Sequence, residues 1–303
     1  MTSRPLHKIA VKAALPTFTL AALLLLTTAC VHHEPRPLKG FFKSKFTAIG
    51  HRGAKGVAPE NTMAAFRASA AAGAPFELDT MLCKTGEPVV IHDYTVDRTT
   101  NGKGKVADLT LKELRALDAG SYFSPKFKGE KIPTLNEVLD EFANRVKVDI
   151  EIKYQGPREK IPTLAKAIID LVKKKGLEKK VFITAFNPYV LEAFKNEAPD
   201  LARGQLYSRF ETADIPYHQK VVLRNLLLNE SADPDFLAPN YKMVDEEYVK
   251  TYHELGYKIL VWTVNKPDDM RRLIEMGVDG IITDFPNRLK KVYKEVKGHE
   301  LVK

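Results

Sequence analysis

The stretch Gly50–Phe66, GHRGAKGVAPENTMAAF, decides the fold. It begins where the apolar run Phe46–Gly50, FTAIG, stops, and it runs into the helical pattern TMAAFRASAAAG at 62–73. A strand that hands over to a polar, glycine-bearing loop and then to a helix is the first half of a parallel βα unit. The loop carries His51 and Arg52 straight after the strand, so it looks built to hold something.

Working outward, the same alternation repeats. Further strand-length apolar runs are PFELDTML (75–82), VKVDIEI (146–152), VFITAF (181–186), ARGQLYS (202–208), FLAPN (236–240), KILVWTV (258–264) and GIITDF (280–285), which with FTAIG makes eight. Helical patterns lie between most of them: 134–145, 162–176, 189–199, 244–256 and 267–277, with a weaker one over 213–231. Gly73, Gly176, Gly256 and Gly277 end helices. Eight βα units in about 250 residues predict an α/β fold, a closed (β/α)8 TIM barrel over 46–303. An open doubly wound sheet is the alternative, but no Gly-x-Gly-x-x-Gly turn follows the first strand.

One interval breaks the rhythm. Residues 84–131, after the second barrel strand, are too long for a simple βα loop. They hold VVIHD (89–93), the turn-like TTNGKG (99–104) and DLTLKELRAL (108–117), where Thr110 and Glu113 spell a capping box. This reads as a small insertion over one end of the barrel, and long loops in compact domains are usually functional.

The chain has 303 residues, 44% hydrophobic and 28% charged, which is ample for one large core. Its formal net charge of +9 favours anionic partners without naming one. Residues 1–29 carry Arg4, Lys8 and Lys12, then an apolar stretch over about 13–26, then small residues before Cys30. That is the pattern of an export signal, too short for a comfortable membrane span. It resembles a lipoprotein-type signal peptide with Cys30 as the acylated first residue, although Thr27 stands where Leu is usual. An ordinary secreted protein with an incidental Cys30 is the alternative. Residues 30–45, with Pro35 and Pro37, read as a tether. The expected location is the cell envelope, exported and anchored to a membrane by lipid on Cys30. Losing residues 1–29 lowers the net charge from +9 to +6. The second cysteine, Cys83, then has no partner within the chain and reads as buried and inert.

Strand periodicity sorts the chemistry. Glu77 and Asp79 are two apart and share a face. Asp149, Glu151 and Lys153 share a face as well, with Ile150 and Ile152 on the other. Two carboxylates about 4 Å apart repel by about 4 kcal/mol at an effective dielectric of 20. Such acids pair with neighbours such as Lys153, or they hold a cation. For Glu77, Asp79 and Glu151 together a metal is favoured, and hard oxygen ligands suit Mg²⁺ or Ca²⁺. His51 and His92 each close an apolar run, at the carboxyl end of a strand where barrel enzymes keep their chemistry. Imidazole gives and takes protons near neutral pH, and Arg52 offers a fork for phosphate oxygens. No Gly-x-Ser-x-Gly elbow, Walker loop, zinc-spaced Cys/His set or nucleic-acid motif appears. The Lys runs near 173–180 and 289–294 read as solvated helix faces.

HRG…PENT…AF, ELD, VVIHDYTVDRTTNGKGKVADLT, LDAG, IPTLNEVL, EIK, VWTVN and GVDGIITDFP, in this order, resemble the glycerophosphodiester phosphodiesterase family from Phe46 to Leu289. The resemblance implies a TIM barrel with an insertion after its second strand. It implies a small-molecule phosphodiester substrate, hydrolysed with a divalent cation to an alcohol and glycerol 3-phosphate. By position, His51 and His92 match the acid–base pair, Arg52 a phosphate-binding residue, and Glu77, Asp79 and Glu151 the metal ligands. Lys153 matches a lysine beside the phosphate and Trp262 an aromatic of the substrate pocket. Two positions depart from the family pattern: Pro75 where Asp is usual and Thr80 where Val is common. A lysophospholipase D acting on membrane lysolipids keeps the same chemistry. A lipid-anchored protein that binds phosphodiesters without turnover is the third reading, and a paired acid and base argue against it.

Overall fold

The computed structural model describes residues 46–209, 211, 216–224 and 227–301. The expected signal, Cys30 and the tether lie outside the described residues.

All eight expected strands form. They are β1 Thr47–Gly50, β2 Phe76–Leu82, β4 Val148–Ile152, β5 Val181–Ala185, β6 Ala202–Tyr207, β7 Phe236–Pro239, β8 Lys258–Val261 and β9 Gly280–Thr283. Every neighbouring pair is parallel, and β1 pairs with both β9 and β2, so the sheet closes into the (β/α)8 barrel. A ninth short strand, β3 Pro88–Val90, lies antiparallel to β2 and comes from VVIHD in the insertion. Thr80, one of the two departures, donates its hydroxyl to Val89 O at 3.0 Å and so ties β3 to the barrel.

The helices are α1 Met63–Ala71, α2 Leu111–Ala116, α3 Leu135–Phe142, α4 Ile161–Lys174, α5 Pro188–Glu197, α6 Tyr217–Arg224, α7 Asn229–Ala232, α8 Glu246–Glu254, α9 Pro267–Met276 and α10 Pro286–Lys297. The weak pattern over 213–231 resolves into α6 and α7. The Thr110–Glu113 capping box forms at α2, and Thr134 with Glu137 makes a second at α3. Each satisfies backbone N–H groups that the first helical turn leaves without partners. The Lys run near 289–294 belongs to α10, which buries Leu289, Val292 and Tyr293 and leaves Lys291 and Lys294 exposed.

Two layers of apolar packing follow from the period-two strands. Ile49, Phe182, Leu206, Phe236, Leu260 and Ile282 fill the barrel interior. Ile150 and Ile152 face the other way, into the shell of helices with Leu164, Ile168 and Phe194. The insertion has a small core of its own, in which Cys83 is buried with Val89, Val96, Val106 and Leu114. No helix among the described residues is long and apolar enough to cross a membrane.

Candidate active site at the carboxyl ends of the strands

The loop after β1 works because of its glycines. A Cβ on Gly50 would lie 2.1 Å from Gly53 O, and one on Gly53, at φ 87°, would lie 2.6 Å from the Ala65 backbone. Only bare backbone lets the loop fold back so tightly against α1. Arg52 itself has φ 49°, and this turn aims its backbone N–H at Glu77 Oε2, 2.7 Å away.

The two histidines are held by one device. His51 Nδ1 lies 2.7 Å from Asp284 Oδ1, and His92 Nδ1 lies 2.6 Å from Asp93 Oδ1. An ionised carboxylate only accepts, so each Nδ1 carries the proton and donates. Each neutral imidazole therefore keeps a lone pair on Nε2. Burial pushes both histidines below the ordinary imidazole range. For His51 the Asp284 hydrogen bond opposes that push most, and for His92 the charge of Asp79 does.

The acids meet through strand register. Glu77 lies beside Asp149 and Asp79 beside Glu151. One oxygen each of Glu77, Asp79 and Glu151 falls within 4.8 Å of the other two, and all three residues are buried. Burial and the neighbouring carboxylates push Glu77 well up, and burial pushes Glu151 up against the pull of Lys153. Asp79 goes down despite its burial, because the Lys153 and Arg52 charges outweigh it. Lys153 Nζ contacts Glu151 and lies 3.1 Å from Asp79 Oδ1, and Arg52 Nε lies 3.3 Å from Asp79 Oδ2. The expected pairing with Lys153 is thus real, yet it leaves the cluster short of cations. Glu77 Oε1 is buried without a hydrogen-bond partner. Three converging carboxylates with a bare oxygen fit a hard divalent cation. Asp149, on the same face, stays out of this group: Thr184 Oγ1 donates to it at 2.7 Å, and burial pushes it well up.

Trp262 stands at the end of β8. Its Nε1 donates to Ala238 O at 2.7 Å, and its ring meets Phe186 edge-on at 5.3 Å. His51 and Arg52 directly follow β1, Lys153 follows β4, Trp262 follows β8 and His92 lies just past β3, while Glu151 is the penultimate residue of β4. Glu77 and Asp79 lie within β2, just past the level at which Gly50, the last residue of β1, pairs with Phe76.

Several residues that the sequence reading did not single out complete the site. Asn265 donates Nδ2 to Asp284 Oδ2 at 2.8 Å and accepts the Asp284 N–H at 2.9 Å. Asn61, at φ 56°, donates Nδ2 to Asp79 Oδ2 at 2.8 Å. Glu60 accepts from Arg52 Nη1 at 2.6 Å and from Arg98, which also holds Asp93. All sit inside the quoted motifs, and that membership was the available signal.

A family model described as the glycerophosphoryl diester phosphodiesterase family matches residues 51–288. The chain belongs to that family. The glycerophosphodiester phosphodiesterase of Caldanaerobacter subterraneus subsp. tengcongensis is 42% identical over 252 residues, 81% of this chain and 96% of that protein. A crystal structure from Silicibacter pomeroyi, described as a glycerophosphoryl diester phosphodiesterase, superposes with a TM-score of 0.75 at 29% identity, covering 88% of this chain and 99% of that one. A phosphodiesterase of Oleispira antarctica, solved with its product sn-glycerol-3-phosphate, gives a TM-score of 0.72 at 28% identity over 84% and 98%. Membership bears out the expectation of a phosphodiesterase built on a TIM barrel.

Proposed function

We propose that the protein hydrolyses glycerophosphodiesters to an alcohol and glycerol 3-phosphate, with His51 and His92 as the acid–base pair and a divalent cation at Glu77, Asp79 and Glu151. The observation that carries this reading is the pair of imidazoles, each held at Nδ1 by a carboxylate, around one buried acid cluster with an unpartnered oxygen. The Ile91 N–H, next to His92, bonds Asp79 O at 3.0 Å and the Arg52 N–H, next to His51, bonds Glu77 Oε2 at 2.7 Å, so both imidazoles flank the acid cluster.

A bound Mg²⁺ or Ca²⁺ would supply a Lewis-acid partner for a phosphoryl oxygen. The chain's own residues do the rest. Arg52 is kept charged by Asp79, Glu60 and Glu77 despite its burial, and Lys153 is pushed up by Asp79 and Glu151. Both cations face the place where negative charge grows on the phosphoryl oxygens, in a buried setting where such interactions are strong. One neutral imidazole accepts the proton of the attacking oxygen at Nε2. The other, protonated, gives its Nε2 proton to the departing alkoxide as the phosphorus–oxygen bond breaks. Their Nδ1 carboxylates steady the imidazolium at each stage. Trp262 and Phe186 form an aromatic wall beside Lys153, whose Nζ lies 5.8 Å from the Phe186 ring centre.

The test is to incubate the protein with glycerophosphocholine or lysophosphatidylcholine, with Mg²⁺, Ca²⁺ or EDTA, beside His51→Ala. Choline and glycerol 3-phosphate from the first substrate, lost with EDTA and with the variant, are the expected result. Choline from the lysolipid alone would move the function to lipid remodelling. Substrate binding with no turnover would leave a binding protein. Metal should also raise Tm, by about 2.7 kcal/mol of stabilisation at 100-fold excess over Kd. Glu77→Gln should remove that rise, and an unchanged rise would take Glu77 out of the ligand set.

The lipid anchor and export rest on residues 1–30 alone. Cys30→Ser is expected to shift the protein from the membrane to the soluble fraction, and continued membrane association would overturn the anchor.

A further inference from the structure

We infer that Arg98, contributed by the insertion, is a positioning residue that couples His92 to Arg52 across the barrel mouth. This deepens the acid–base reading above and rests on it.

One guanidinium serves two carboxylates at once. Toward Asp93, Nε donates to Oδ2 at 2.7 Å and Nη2 to Oδ1 at 3.0 Å. Toward Glu60, Nη1 donates to Oε2 at 2.9 Å and Nη2 to Oε1 at 2.8 Å. Both contacts are bidentate, the geometry a planar fork makes and a lysine cannot. Each carboxylate in turn holds a residue of the proposed machinery. Asp93 Oδ1 takes the Nδ1 proton of His92 at 2.6 Å, and Glu60 Oε1 takes a proton from Arg52 Nη1 at 2.6 Å. The chain of contacts therefore runs His92–Asp93–Arg98–Glu60–Arg52 without a gap, from the proton-transfer group to the phosphate-binding group.

The two ends come from different parts of the fold. His92 and Arg98 lie in the insertion, while Arg52 and Glu60 lie in the loop between β1 and α1. Among the described residues the side chains hydrogen-bonded to the Asp93 carboxylate are His92 and Arg98, so without Arg98 only His92 fixes its rotation, and the Glu60 carboxylate keeps only Arg52. Arg52 Nη1 and Arg98 Nη2 both donate to Oε1 of the buried Glu60 while Arg98 Nη1 takes Oε2, so one carboxylate holds the two guanidiniums side by side. Tyr122, again from the insertion, closes the joint by accepting the Glu60 backbone N–H at 3.1 Å. Arg98 touches no reacting atom in this arrangement. It sets the distance between the imidazole and the phosphate fork, and misplacement of about 1 Å in such a pair costs on the order of 10²-fold in rate.

The experiment measures kcat and KM with glycerophosphocholine for wild type, His92→Ala, Arg98→Ala, Arg98→Lys, Asp93→Asn and the Arg98→Ala/Asp93→Asn double variant, with Tm for each. Arg98→Ala should lower kcat by about 10–100-fold. Arg98→Lys should keep the charge and the Tm yet recover little kcat, because one ammonium cannot bridge both carboxylates. Free guanidinium ion at millimolar level should restore part of the Arg98→Ala rate, and ammonium ion should not. The double variant should lose less than the product of the two single losses, since both act on His92. Full recovery by Arg98→Lys, strictly multiplicative losses, or a rate loss that follows Tm would each overturn the inference. If His92→Ala itself keeps wild-type turnover, the acid–base reading has failed instead, and the two failures are told apart.

Discussion

The two sides of the barrel mouth hold an imidazole in the same way and support it differently. On the barrel side, His51 rests on Asp284, and Asp284 rests on the neutral amide of Asn265. Both members of that pair are 14% exposed. On the insertion side, His92 rests on Asp93, whose charge is shared with Arg98, and the pair is about twice as exposed, at 31% and 28%. The carboxylate on the barrel side is shared with no arginine and feels Lys55 only through space, so it keeps more of its charge for an imidazolium. The one on the insertion side is partly neutralised and serves more to orient. One device thus gives two imidazoles of different electrostatic setting from one residue type, through the partner's partner.

The largest test of this comparison is loss of the imidazoles themselves. His51→Ala and His92→Ala should each lower kcat by about 10²–10⁴-fold, and wild-type turnover in both would dismantle the acid–base pair. Next come the supporting carboxylates. Asp284→Asn and Asp93→Asn both disturb the tautomer, but only the first removes an unshared charge. Its kcat loss should exceed that of Asp93→Asn by about tenfold, and equal losses would erase the distinction between the two sides. A smaller effect appears in the pH profile. Burial lowers both histidines, and the proton acceptor must be neutral to work, so the acid limb of kcat/KM should lie below about pH 6.5 and activity should fall as pH falls through it. Asp284→Asn removes a charge that favours the imidazolium, so a base at His51 moves that limb lower still. A limb above pH 6.5 in wild type would contradict the burial of both rings. The smallest effect is on stability. Burial works to raise the Glu60 carboxyl, but the Arg98 and Arg52 guanidiniums outweigh it and hold it down at about 2. A depressed acid contributes stability above its unfolded value, near 4.5, and loses it as pH falls through about 2. The Tm gap between wild type and Glu60→Gln should therefore close across that window, and a gap that persists at the acid end would assign the loss to packing.

Much of this was legible in the sequence, for identifiable reasons. The eight strands and most helices show period two or 3.6, and that period is what burial writes into a chain. Glu77, Asp79, Glu151, His51 and His92 were legible because charged residues at the end of an apolar run contradict burial and so stand out. β3 was legible only as the apolar run VVI that His92 closes; three residues on an insertion edge are too few to show that the strand runs antiparallel to β2 and stands outside the eight of the barrel. Asp284, Asn265, Glu60 and Arg98 were missed for a related reason. Asp, Asn, Glu and Arg in short loops are also what turns, caps and solvated surfaces use, and only tertiary closure shows that these meet around the two histidines. Asp149 is the converse: it shares the face of Glu151, yet the Thr184 hydroxyl and burial withdraw it from the ligand group.

His51 and Asp284 are 233 residues apart in the chain, each directly after one of the two strands, β1 and β9, that meet where the barrel closes. Their hydrogen bond cannot exist until β9 has docked against β1, which is the closing contact of the cylinder. The orientation of His51 is therefore tied to closure of the barrel, whereas that of His92 rests on its chain neighbour Asp93. The contact that orients the His51 imidazole is thus also a contact that certifies closure of the cylinder: the site is assembled only where the first and last strands of the barrel meet.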